Sequence, residues 1–180
     1  FVVSAPSSGS STTTVSVKVS CAYGGGFCSY PTETWDGAVT MIYGPSPEES
    51  AAIQKQSSAT SELNNAKSLL SEANSALNTA QSKVKEASNL GADIGTAQLS
   101  LNSVSSAIEN ANSYLSSAQT AYDQGVASLN SKSWNLASSN FDTAISKSQQ
   151  TQSSATTAKS NSDSAKAQAT SIIEEWNRLK

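Results

Sequence analysis

A chain of 180 residues has room for one medium domain or two small ones. Its 11 basic and 14 acidic residues leave a net charge of −3, which gives no hint of nucleic-acid binding, and it has no His for acid–base or metal chemistry. Charged residues make up only 14% while Ser and Ala number 38 and 25, so solubility rests on hydroxyls and amides, and the chain can bury a long thin seam but not a thick core.

The chain opens on Phe1 in place of Met, which reads as a mature or trimmed protein, and no run of about 18 apolar residues occurs that could span a bilayer. Phe1, Val2 and Val3 suggest a short strand. Thr12 to Ser20 sets Val15, Val17 and Val19 on one face and Ser16, Lys18 and Ser20 on the other, the period-two pattern of a half-buried strand, and Ala38 to Tyr43 suggests a second. Between them Cys21 and Cys28 bracket a glycine-rich loop that can bring their Cα atoms to the roughly 5.5 Å a disulfide needs. Zinc is disfavoured, with no His and no second Cys pair, so a disulfide and an extracellular or cell-surface location are expected. Pro31 and Asp36-Gly37 supply the turn chemistry of a meander. Two or three strands in about 45 residues cannot enclose a core, so their edges call for the rod's end near Trp176, another subunit, or further strands.

Near Gly44 the composition shifts from Val, Thr, Tyr, Trp and Gly to Ser, Ala, Leu, Gln and Lys. Two domains are expected: residues 1–45 as a β-rich head or sheet-contributing segment, and 46–180 as a rod with helices over about 47–88, 93–130 and 133–179. Ser46 reads as a cap, Pro47 as the first helical residue and Glu49 as the capping-box partner. Gly91 ends the first helix in the left-handed region, Asp93 is the cap candidate for the second, and Asn130 to Ser133 form a polar turn.

Steps of three and four mark one seam throughout: Leu63, Ala66, Leu70, Ala73, Leu77, Ala80, Val84 and Ala87 first, then Ile94 through Leu101, Ile108, Leu115 and Tyr122 to Leu129, without a slip. The third tract keeps the spacing from Trp134 through Phe141, Ser148, Ala155, Ser162 and Ala169 to Trp176 and Leu179, with weaker apolar chemistry. The expected fold is mainly α: a long antiparallel three-helix coiled-coil bundle, in rods of roughly 60, 55 and 70 Å, carrying a small disulfide-stapled β head. Trp134 and Trp176 should clamp its ends, Ser146 to Ser164 should exchange amides fastest, and chain entry and exit are expected at the same end.

Catalytic patterns are missing: no Gly-x-Ser-x-Gly elbow and no phosphate loop occur, and the pairs Glu48-Glu49 and Glu174-Glu175 read as solvated helix residues. Neither an enzyme nor a cofactor or metal is expected. The dispersed Lys residues lack interleaved aromatics, which argues against nucleic acid, and no N-glycosylation sequon occurs, leaving O-linked sugars on Ser7 to Thr14. Tyr122, Gly125, Trp134, Ala137, Phe141 and Ala144 resemble half a tetratricopeptide hairpin, but no period near 34 residues recurs, so they read as close packing about a turn.

The terminal strand Ala38 to Tyr43, the Gly44-Pro45-Ser46-Pro47-Glu48 lead-in and the low-charge seam to Leu179 together resemble the membrane-proximal stalk subunits of archaeal surface layers. That resemblance implies a β-domain running directly into a Ser/Ala-rich coiled coil. The expected function is an extracellular structural or assembly protein of a cell envelope, surface layer or filament, with the rod as spacer. Its partners would be further copies of itself or other envelope proteins, contacted through Phe1, Val2, Val3, Val15, Val17 and Val19. The alternative is a surface adhesin or binding module that uses Tyr23, Phe27, Tyr30 and Trp35 around the disulfide loop.

Overall fold

The computed structural model describes the backbone of residues 12–15 and 39–42 and the whole of residues 45–180. The chain divides into two units, Phe1–Pro47 and Glu48–Lys180. In the first, strand β1 (Thr12–Val15) pairs antiparallel with β2 (Val39–Ile42), Thr12 opposite Ile42 and Val15 opposite Val39. The remainder of the expected head, including its disulfide staple, lies outside the described residues.

The second unit is the expected three-helix bundle, formed by α1 (Pro47–Asn89), α2 (Gly95–Asn130) and α3 (Trp134–Arg178), which are about 65, 54 and 68 Å long. Polar contacts across the helices define their directions. Gln152 Nε2 donates to Glu62 Oε2 at 2.6 Å and Lys159 Nζ to Glu72 Oε2 at 2.9 Å, so α1 and α3 run parallel. Thr60 meets the Tyr122 hydroxyl at 3.1 Å and Ser100 meets Gln168 at 3.2 Å, so α2 runs opposite to both.

Alanine makes the seam. In α1 it recurs at every seventh residue, Ala52, Ala59, Ala66, Ala73, Ala80 and Ala87, each with no exposed surface. Leu63, Leu70 and Val84 interleave with them and supply the bulk. Of the 23 buried apolar residues described, 16 are Ala, so helix axes can approach to the close end of the usual 8–10 Å range. The core falls into three apolar clusters along the rod, around Leu70, Val104 and Ile108 in the middle, around Val84 and Leu101 at one end, and around Phe141 at the other.

These clusters correct one expectation. Ala52 packs with Ala121 and Phe141 near the α2–α3 turn, whereas Ala169 and Ile172 pack with Ala87 and Ala97 near the α1–α2 turn. The chain therefore enters the rod at one end and leaves it at the other, because three passes are an odd number.

The seam also slips once. After Ala118 the buried positions in α2 are Ala121, Gly125 and Ser128, while Tyr122 and Leu129 are only half-buried. The tyrosine ring is too large for the Ala-lined centre. It lies at the flank, its centroid 5.7 Å from that of Phe141 and tilted by 57°. Phe141 fills the centre instead, and it can do so because residue 125 has no Cβ: one built there would meet the ring at 2.5–2.9 Å.

Helix ends follow local chemistry. Gly91 has φ 78°, the left-handed cap expected of glycine. Helix α2 begins two residues later than the spacing suggested, at Gly95, whose N–H donates to Asp93 Oδ1 at 2.9 Å, so Asp93 acts just before the helix and not as its capping residue. Helix α3 ends at Arg178, and Leu179 is 75% exposed, outside the seam because the layer it would join has ended.

The middle of α3 is built of small residues that are nonetheless buried. Ser148, Thr151, Ala155, Ala158 and Ser162 are all buried, and Ala155 and Ala158 pack with the larger Leu70, Val104 and Ile108 of α1 and α2. Thr151 and Ser162 donate to the carbonyls four residues back, at 3.0 and 2.9 Å, whereas Ser148 Oγ is buried with no partner among the described residues. Ser148→Ala removes that orphaned hydroxyl and improves helix propensity, and it should raise the stability by about 1 kcal/mol. A lower urea midpoint for the variant would contradict this.

Candidate functional site

The residues singled out for disulfide formation and assembly lie in the first unit. Cys21, Cys28, Phe1, Val2, Val3, Val17, Val19, Tyr23, Phe27, Tyr30 and Trp35 are outside the described residues, and Val15 is placed by its backbone alone, opposite Val39. A functional surface can therefore be built only on the rod.

Its polar surface is used largely for its own helices. Thr79, Ser117, Thr120, Thr143, Thr157 and Thr170 are among the hydroxyls that donate to the carbonyl four residues back, at 2.8–3.0 Å. This pattern lets a Ser/Thr-rich surface coexist with long helices, because each hydroxyl finds an acceptor without breaking the ladder. Other side chains tie the helices together in register. Lys55 pairs with Asp142, Lys67 Nζ donates to Gln119 at 3.1 Å, and Asn161 donates to Ser103 at 3.3 Å.

The Lys159–Glu72 pair is exposed, and the hydrogen bond and charge of Glu72 hold the Lys159 ammonium above the ordinary 10.5. A raised lysine value means that the lysine's contribution is present at neutral pH and is lost as pH climbs through the folded-state value, in the alkaline range above 10.5.

The surface depressions are shallow. One of about 360 Å³ between α1 and α2 is lined by the polar Gln81, Lys85, Gln98 and Asn102 and by the apolar Val84, Ile94 and Leu101. Another, of about 460 Å³, lies at the α2–α3 turn beside Glu48, Trp134 and Leu136, with Leu136 57% exposed. A third, of about 290 Å³ at the opposite end, is formed by Gly91, Asp93, Ile172, Trp176 and Leu179. Trp176 is half-buried and its indole N–H has no acceptor among the described residues, while Lys180 Nζ lies 5.5 Å from the ring centroid. The expected tryptophan clamps are thus partial: neither Trp134 nor Trp176 is fully covered.

Among the described residues no group of three or more His, Cys, Asp or Glu is placed to hold a metal ion, and no helix is long and apolar enough to cross a membrane. The chain matches no protein-family model, no curated protein and no solved structure. Its function therefore has to be argued from its own geometry.

Two further features of the rod carry no signal in the sequence. Lys132 adopts φ 60°, and Ser148 carries an unpartnered hydroxyl. A polar turn was legible at 130–133, but nothing in Ser-Lys-Ser distinguishes a left-handed lysine in advance.

Proposed function

We infer that the protein is a structural component of a cell envelope, surface layer or extracellular filament, in which the three-helix unit serves as a spacer and the N-terminal residues make contacts between subunits. One observation carries the spacer role: an Ala seam runs the length of α1 and the chain enters and leaves at opposite ends, so segments joined to the two ends are held roughly 60 Å apart. The extracellular setting is supported by the Cys21/Cys28 spacing and by a surface that relies on hydroxyls, and the surface layer by the resemblance in layout.

Sedimentation velocity over a range of micromolar concentrations, without reductant, tests this reading. A closed oligomer or a polymer is expected for the intact chain, and deletion of Phe1 to Thr14 should abolish every assembly larger than a dimer while the helical circular dichroism is retained. An elongated monomer at every concentration would overturn the assembly role and favour a binding module built on Tyr23, Phe27, Tyr30 and Trp35.

A further inference from the structure

The two connections of the bundle are built from opposite materials. The α1–α2 link spans residues 90–94, contains Gly91 at φ 78°, where glycine is at ease, and is held by Asp93. The α2–α3 turn has only three residues, Ser131 to Ser133, and its left-handed position is occupied by Lys132 at φ 60°, a conformation that its Cβ disfavours. The turn closes through backbone bonds from Ser131 to Ala127, Lys132 to Leu129 and Ser133 to Ser128, and no side chain caps the start of α3. From Val126 to Lys180 the sequence contains neither Gly nor Pro. No Gly or Pro therefore bars α2 and α3 from joining into one continuous helix, in which the ordinary ladder would replace the turn's backbone bonds and its side-chain bond from Ser131 Oγ to Ser133 Oγ at 3.3 Å would be given up.

Helix α3 is also the lightest member of the core. From Ser148 to Ala169 its buried residues are only Ser, Thr and Ala, whereas α1 and α2 bring Leu63, Leu70, Val84, Leu101, Val104 and Ile108. Its removal from its own α1–α2 pair exposes a continuous apolar stripe that another α3 would fit residue for residue.

We propose that α3 is an exchange arm: the turn straightens at Lys132, and each of two copies lays its α3 on the α1–α2 pair of the other. Because α2 and α3 are antiparallel in the closed chain, two straightened helices run antiparallel in the dimer and re-form the same seam. The closed and exchanged forms then share their packing, so the equilibrium is governed by the hinge against the entropy of association. The exchange is separate from any contact made by the N-terminal residues.

The test uses the Glu62–Gln152 contact between α1 and α3, where Gln152 Nε2 is 2.6 Å from Glu62 Oε2. Full-length chains carrying Glu62→Cys or Gln152→Cys are refolded together, oxidised, and the linkage is read by peptide mass spectrometry, with both substitutions in one chain as the control that the geometry permits a bond. A link between residues 62 and 152 of different chains is expected. Lys132→Ala, which favours the continuous helix, should increase its yield, and Lys132→Gly, which relaxes the closed turn in both copies, should reduce the dimer's association constant by at least about tenfold. Failure to form the interchain link in either the parent or the Lys132→Ala background, while the single-chain control links, would overturn the proposal. Equal yields from Lys132→Ala and Lys132→Gly would overturn the role of the hinge.

Discussion

Phe141→Ala should lower the free energy of unfolding by about 3–5 kcal/mol, because Phe141 has no exposed surface and is the largest side chain that the rod buries completely. Its partner substitution makes the argument sharper. At Gly125 an added Cβ would lie 2.5, 2.7 and 2.9 Å from three carbons of the Phe141 ring. On an exposed helix face, Gly→Ala gains about 1 kcal/mol from propensity. Here overpacking against a ring enclosed by Ala52, Ala121 and Ala144 should cost about 1–3 kcal/mol, so Gly125→Ala is expected to destabilise despite the better helix former. Combining Gly125→Ala with Phe141→Ala should cost less than the two losses summed, since the smaller side chain makes room for the methyl group. Urea unfolding followed by circular dichroism measures all three. Additive effects in the double variant, or a stabilised Gly125→Ala, would mean that the ring and the glycine do not share a site.

Ala73→Leu is expected to cost about 1–3 kcal/mol, or to splay the helices, for a related reason. Ala73 has no exposed surface and sits among Leu70, Val104, Ile108, Ala155 and Ala158, where the close approach of the helices depends on the methyl group. Ser71→Leu, two residues away on the exposed face, should change stability by no more than about 0.5 kcal/mol. The contrast between these two substitutions measures the seam itself. An unaltered unfolding midpoint for Ala73→Leu would show that the helices have space to spare and that the Ala heptad is not a packing device.

Much of this architecture is legible along the chain. The alternation of three and four residues, the Pro47 start, Gly91 and the change in composition near Gly44 together suffice to expect three helices and where they turn, because each is a local backbone or periodicity signal. Other features depend on neighbours that are distant in sequence. The seam slips after Ala118 because Tyr122 is too bulky for a centre that Phe141 occupies, and Gly125 becomes a packing residue only once Phe141 is laid across it. Entry and exit do not share an end, because three passes are an odd number and Ile172 packs beside Ala87 at the α1–α2 turn.

For function the division is less even. Composition and motif together argue against nucleic acid and catalysis, and the cysteine spacing and layout motivate an extracellular structural reading, but the residues that would carry contacts lie mostly beyond the described part of the chain. The amino-acid sequence by itself determined the helices, their lengths and their apolar stripe, since helix periodicity and capping act within a few residues. Only the tertiary structure decided which small residues form the centre, that Lys132 bears the left-handed turn and that Ser148 is buried without a partner, because each depends on how side chains from separate helices divide one narrow space.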